Sequence, residues 1–284
     1  WVLDPQARRR HADLVAAVRR VNRRMPRRWL VFPIHEGTVN ATAFALLAQT
    51  GTAAKVFDAY VAADRGDASG LWLMSAMSGF VFPNLVNWGD SASKAVSADF
   101  DPSRAYAEEM MPRGAAMGSP LARLLWGVAG HWPIQPMAPR WRHVERSEVE
   151  TLILSGSIDF STPAQNAQTD LLPNLPGGRQ IVLRELGHVG DLWDLQPAAV
   201  ERAIRSFLDT GVADASLVRY RPMRFRVAWG FGRIAKLLVA AACLLTAIGA
   251  LGTYRLVRWL RRRSTRRASP NSSNLTPTES TPRV

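Results

Sequence analysis

Val149-Glu150-Thr151-Leu152-Ile153-Leu154-Ser155-Gly156-Ser157-Ile158-Asp159 and, further on, Gln180-Ile181-Val182-Leu183-Arg184-Glu185-Leu186-Gly187-His188 decide how this chain is read. Each begins with an apolar run, Val149 to Leu154 and Gln180 to Leu183, and each run is followed by a residue able to do chemistry, Asp159 and His188. The first run alternates and is rich in branched residues, which predicts a strand, and Ser155-Gly156-Ser157 supplies the small residues of a strand-end turn. A helix is expected next, with Thr162 as N-cap and Pro163 at its first position, where a missing N–H costs nothing. Ala164 to Leu172 continues it until Pro173, Pro176, Gly177 and Gly178 stop it. A crossover containing a helix makes the two strands parallel, so Asp159 and His188 should leave the same edge of one sheet. Singly, an Asp after a strand is a turn former or helix cap, and a Gly-His pair is a surface turn. Together, and in this order, they are placed as the last two members of a Ser…Asp…His triad.

With these residues in view, Gly156-Ser157-Ile158-Asp159-Phe160-Ser161-Thr162-Pro163 and Val182-Leu183-Arg184-Glu185-Leu186-Gly187-His188 resemble the C-terminal part of α/β-hydrolases, in particular the tripeptidyl- and prolyl-aminopeptidase-like serine hydrolases. The resemblance implies Asp159 as the triad acid and His188 as its base, and departs from the family at Val189, where a glycine often follows the histidine. It implies a fold of class α/β, a partial α/β-hydrolase with a helical cap and the C-terminal strands of a parallel sheet, to which the charge-free run Leu237 to Tyr254 adds a transmembrane helix. It also implies a small peptide, or an amide or ester, as substrate.

The rest of the chain is organised around that pair. Trp1-Val2-Leu3-Asp4-Pro5 resembles the end of the strand that follows the nucleophile in this family. From Gln6 a helix is expected, with Leu14, Val18, Val21 and Met25 on one stripe and arginines on a solvated face. Residues 1–36 thus read as a sheet remnant and a basic helix, with a short strand over Trp29 to Ile34. Helical spacing over Asn40 to Ala48, Thr52 to Ala63 and Ala68 to Met77, punctuated by Gly51 and Arg65-Gly66-Asp67, makes 37–145 the cap region. Tyr60, Trp72 and Trp88 are read there as core packing before substrate lining. Pro83 argues against a strand over Phe80 to Trp88, and further helices are expected from Asp101 to Met110 and from Pro120 to Val128. Residues 146–212 form the subdomain carrying acid and histidine, closed by a helix from Pro197 to Leu208 with Val200, Ile204, Phe207 and Leu208 on one face and Gly211 just past its end.

Composition supports a membrane attachment. The chain of 284 residues carries 36 Lys and Arg against 23 Asp and Glu, a formal charge of +13. That excess is confined to the C-terminal part: 13 bases and no acid lie between Arg219 and Arg267, whereas residues 1–218 are neutral, with 22 bases and 22 acids. A nucleic-acid function is therefore not indicated, and the clustering of charge around an apolar run points to lipid. The 18 residues Leu237 to Tyr254 carry no charge and are flanked by Arg233, Lys236, Arg255 and Arg258, which predicts a spanning helix. A basic juxtamembrane linker, 213–236, precedes that helix, 237–254, and a basic disordered tail, 255–284, follows it. A single-pass membrane protein is expected, its hydrolase domain extracytoplasmic as the family is frequently exported. The lone Cys243 lies inside the apolar run, and no HExxH or CxxC spacing occurs, so neither a metal nor another cofactor is expected.

No G-x-S-x-G elbow exists in the chain. The nearest pattern is Gly89-Asp90-Ser91-Ala92-Ser93, with no convincing strand before it. The expectation is that the nucleophile lies upstream of Trp1 and that the chain is a fragment or processed product of a membrane-anchored peptidase. The alternative is a non-catalytic, membrane-anchored pseudo-hydrolase or binding module.

Overall fold

The computed structural model describes residues 12–85, 87–111, 115–223 and 227–267. The expected strand remnant Trp1 to Pro5 lies outside them, as does the part of the expected disordered tail 255–284 past residue 267, whereas residues 255–267 are helical instead of disordered. The chain divides into two units, Trp1–Lys236 and Leu237–Val284.

The first unit begins with a helical layer. Helix α1 (Ala12–Arg23) buries Val18 and Val21, with Leu14 and Met25 packed against the same core, as its apolar spacing predicts. The expected single strand over Trp29 to Ile34 is instead a tight hairpin of β1 (Arg28–Trp29) and β2 (Phe32–Pro33), pairing Trp29 with Phe32. Leu30 takes the left-handed conformation at its tip, φ 52°, which costs an L-residue about 1–2 kcal/mol.

Helices α2 (Glu36–Leu46), α3 (Thr50–Asp64) and α4 (Ser69–Leu85) follow. The break before α3 falls at Leu47 to Gln49 and not at Gly51, which lies in the first turn of α3. The turn after α3 uses Gly66 at φ 99°, where a Cβ would be strained. Tyr60 is fully buried, and its hydroxyl reaches Asn22 Oδ1 at 3.3 Å and Asn40 Oδ1 at 3.1 Å, pinning α1 and α2 to α3. Trp72 packs on Trp29 and Phe32, with ring centroids 5.2 and 4.7 Å apart. Both side chains are thus core packing.

Helix α4 runs on through Pro83, so the stretch from Phe80 holds no strand among the described residues. Ser91 falls in the first turn of α5 (Trp88–Asp99), capped by Asn87 and preceded by a helix, which is not the strand-to-helix geometry of a nucleophile elbow. The helix expected from Asp101 shrinks to α6 (Tyr106–Glu109), because Asp101 spends its carboxylate on Ser103 in a local turn. Helix α7 (Pro120–Ala129) starts at its proline as predicted.

The α/β part is small. Strand β3 (Thr151–Gly156) and β4 (Gly178–Leu183) pair in parallel, Thr151 opposite Gly178 through Gly156 opposite Leu183. Between them the expected single helix is a composite: one turn α8 (Ala164–Asn166), a π-helical stretch to Leu171 and a 3₁₀ turn to Asn174. Thr162 does not cap it, because its hydroxyl is bonded to Asp159. Helices α9 (Gly190–Leu195) and α10 (Pro197–Thr210) close this part, burying Leu192 and Val200 against Leu183 and Leu186. Leu208, expected on that face, is exposed. Gly211 ends α10 in the left-handed conformation at φ 71°.

Helix α11 (Phe231–Arg267) starts in the first unit, where Phe231 and Ala235 are buried in the helical core, and accounts for the described residues of the second. Its stretch Phe231–Arg261 is long and apolar enough to cross a membrane, with its most apolar window almost wholly exposed.

One glycine links the sheet to the loop that follows β4. A Cβ on Gly156 would collide with the carbonyl oxygens of Leu186 and Gly187, backbone that has no free space to yield. Gly156→Ala should destabilise the first unit by about 1–3 kcal/mol, read as a lower thermal midpoint in detergent, whereas Gly37→Ala, with nothing near its Cβ, should not.

Candidate active site

Because β3 and β4 end side by side, the loops after them meet. Ser157 N–H donates to Leu183 O (3.0 Å), Ile158 N–H to Leu186 O (3.1 Å) and Glu185 N–H to Ser157 Oγ (2.8 Å). Glu185 makes the turn after β4 in the left-handed conformation, φ 56°. A glycine would adopt it more readily, but the buried Glu185 carboxylate accepts from Tyr220 Oη (2.7 Å) and Met223 N–H (2.8 Å), tying the 220–223 segment to the turn.

Asp159 is buried at the head of this arrangement. Its Oδ1 accepts from Ser161 N–H (2.9 Å), Ser161 Oγ (2.8 Å) and Thr162 N–H (3.1 Å), and its Oδ2 from Thr162 Oγ1 (2.7 Å). His188 Nδ1 lies 2.8 Å from Oδ2. Burial pushes the carboxyl upward, but the bonds from Thr162, His188 and Ser161 outweigh it and hold Asp159 below the usual carboxylate range. A carboxylate only accepts, so neutral His188 carries its proton on Nδ1 and leaves the lone pair on Nε2.

Two hydroxyls stand on the Nδ1 side, Ser161 Oγ at 2.9 Å and Thr162 Oγ1 at 3.3 Å. Each has one proton, and each donates it to Asp159. Neither is therefore placed to hand a proton to the histidine. Phe44 of α2 meets Phe160 edge to face at 5.0 Å, bringing the helical layer against the acid loop.

The histidine backbone is fixed separately. His188 N–H donates to Ala48 O at 2.7 Å. Asp191, also buried, accepts from Gly187 N–H at 2.7 Å and from Thr50 N–H at 2.9 Å, so one carboxylate joins the histidine loop to the N-terminus of α3. Burial raises the Asp191 pKa, and these backbone bonds offset it only in part. A Cβ at Gly187 would strike Ala48 O, so the close approach of backbone demands that glycine, whereas one at Gly190 would meet only the movable end of the Gln49 side chain.

Asp159 and His188 are brought together as their spacing predicts. Ser91 is placed in α5, away from any elbow. Asp191 and the hydroxyls of Ser161 and Thr162 are the parts sequence reasoning missed. Among the described residues no group of three or more His, Cys, Asp or Glu is arranged to hold a metal ion.

Residues 122–218 match the family model described as TAP-like protein, of the α/β-hydrolase superfamily. That stretch resembles TAP-like α/β-hydrolases and is called the TAP-like segment. Comparison with curated proteins and with solved structures gives no match. The TAP-like segment opens within α7, contains Asp159, His188 and Asp191, and closes after α10. Ser91 and the apolar helix fall outside it.

Two outcomes follow for the TAP-like segment. Asp191→Ala strands the N–H groups of Gly187 and Thr50, at about 1–3 kcal/mol for each buried donor left unmade, so a clear fall in the thermal midpoint is expected. The pH dependence separates the two acids. Asp159, depressed in the fold, stabilises fully above the ordinary carboxylate pKa of about 3.9, and that contribution disappears as pH falls through its lower folded value. Asp191, raised in the fold, costs stability near neutrality, and the cost is relieved as pH falls through its raised value. The midpoint gap between the native chain and Asp159→Asn should therefore narrow in acid, measured by unfolding from pH 7 to pH 3.

Proposed function

We propose that the TAP-like segment is the acid–base half of a serine hydrolase, with His188 as general base and Asp159 as the group that orients it. The observation that carries this reading is the 2.8 Å contact of Asp159 Oδ2 with Nδ1, which leaves Nε2 to face the reacting group. Nε2 has no hydrogen-bond partner among the described residues. The nucleophilic serine is supplied from outside them, and helices α2 to α7 form the cap over the substrate. A small peptide is the proposed substrate class, with hydrolysis of an amide or ester bond, on the strength of the TAP-like match.

Labelling by a fluorophosphonate tests the chemistry. The protein as the cell makes it should be labelled, and His188→Ala should slow labelling by about 10² or more. The 284-residue chain should stay unlabelled. A native protein that never labels would make the segment a non-catalytic binding module. Labelling of the 284-residue chain that vanishes on Ser91→Ala would place the nucleophile there instead.

The same reading places α11 across a membrane. Phe231–Arg261 would extend about 46 Å at 1.5 Å per residue, more than the roughly 30 Å hydrocarbon core. Each end carries a tryptophan with an arginine over its ring, Trp229 with Arg233 at 4.5 Å and Trp259 with Arg263 at 4.7 Å, the residue types that settle at the two interfaces. Six bases precede the apolar run and seven follow it, so charge alone barely orients it. An outside domain and an inside tail follow from the export of the family. Carbonate washing should leave the chain in the membrane pellet, and protease added outside intact cells should spare the tail.

A further inference from the structure

The hairpin of β1 and β2 carries a tip that folding alone does not explain. Two-residue hairpin loops favour Asn-Gly or Gly-containing pairs, which reach left-handed backbone easily and stay solvated. Here the loop is Leu30-Val31, with Leu30 forced to φ 52° and the two side chains 62% and 86% exposed. The tip is held out firmly, because Trp29 and Phe32 at its base are packed on Trp72.

The surroundings of the tip are cationic. Arg23, Arg24, Arg27 and Arg28 are all exposed. Beside the base of the hairpin lies a cleft of about 690 Å³, lined by Arg23, Arg24 and Arg27 with Asn22 and His35 against a single acid, Glu36. An apolar point beside a basic, hydrogen-bonding cleft is complementary to an anionic bilayer surface: acyl chains accept Leu30 and Val31, and lipid phosphates accept the guanidinium groups. A nucleic acid would use the charge but leave the two aliphatic side chains in water, and the aromatic rings of the hairpin, Trp29 and Phe32, are occupied by Trp72 instead of being free to stack on bases.

The hairpin also lies close to where the chain enters α11. One turn before Trp72 on α4, Ser69 Oγ reaches Gly232 O at 3.4 Å, and a Cβ on Gly70 would sit 3.2 Å from Gly232 N. Asp67, just ahead of α4, pairs with Lys236 Nζ at 2.6 Å.

We infer that the Leu30-Val31 tip with its arginine collar is a second membrane contact, inserting into the headgroup layer of an anionic bilayer and restraining the domain at the lipid surface. This rests on the proposed anchoring by α11, and the experiment separates the two. The full chain, carrying Cys243→Ser and Leu30→Cys with a nitroxide on the new thiol, is reconstituted into vesicles of phosphatidylcholine alone or with phosphatidylglycerol. Relaxation by oxygen, which partitions into lipid, is compared with relaxation by a water-soluble nickel chelate.

The expected result is an oxygen-to-nickel accessibility ratio that rises several-fold with phosphatidylglycerol. It should fall back when Arg23, Arg24, Arg27 and Arg28 are replaced by glutamine, or in high salt, while a label introduced by Leu208→Cys stays aqueous throughout. A label at position 30 that remains aqueous on chains still resisting carbonate extraction overturns the inference and leaves the anchor standing. Chains lost to carbonate overturn the anchor, and with it this inference. An aqueous label on anionic vesicles, together with oligonucleotide binding that the four arginine replacements abolish, would assign the surface to nucleic acid instead.

Discussion

Parallel pairing of β3 with β4 is the constraint from which the site follows. Two strands running the same way through a helical crossover must end at the same edge, and the register sets Gly156 opposite Leu183. The next residues of each chain then have no choice but to share one small volume. Gly156 accepts the closeness because it has no Cβ to meet the carbonyls of Leu186 and Gly187, and Ser157 closes the gap with its N–H and its hydroxyl. Asp159 and His188 meet as a result of backbone geometry, before any attraction between their side chains is counted.

Electrostatics decides what that meeting can do. Among the described residues, the buried carboxylates of Asp159 and Asp191 are satisfied by N–H and O–H dipoles and, for Asp159, by the imidazole, with no lysine or arginine at either. A guanidinium against Asp159 would neutralise the field its negative charge imposes on His188. Fixed dipoles keep the carboxylate ionised yet leave its charge available to an imidazolium, which is what a general base needs at the moment it takes a proton. The hydroxyls of Ser161 and Thr162 serve the acid in this way, and their geometry makes them part of the orienting side.

Legibility in the sequence followed the range of the interactions. The two strands, their direction, the acid and the histidine were readable because alternation, turn residues and a helical crossover are local signals. Helix positions in α1, α3 and α10 were readable from apolar spacing, and that of α7 from the proline at its first position, for the same reason. The Leu30 turn was not, since neither Leu nor Val signals a hairpin. Thr162 was misassigned as a helix cap because Thr-Pro before a helix has that meaning by default, and only the three-dimensional presence of Asp159 diverts its hydroxyl. Asp191 was invisible for a plainer reason: its partner Thr50 is 141 residues away, and no local pattern records such a bond.

Burial along the sheet shows where order is concentrated. In β3 every residue from Thr151 to Ser155 is half-buried and only Gly156 is buried, and in β4 only Leu183 is. Parallel strands are ordinarily covered on both faces, and a two-stranded sheet has little stability of its own. Packing by Leu186, Leu192 and Val200 reaches the carboxyl ends of the strands, while Val149, just ahead of β3, is open to solvent. The edge that carries the loops is thus the best-held part of the sheet. Ala48 O, and Thr50 N–H through Asp191, add bonds there from the helical layer, so the position of His188 is set by three independent supports: the strand ends, the small apolar core behind them, and the N-terminus of α3. Loosening the far ends of the strands would move none of these three directly, which is why the acid–histidine geometry can be this well defined on so small a sheet.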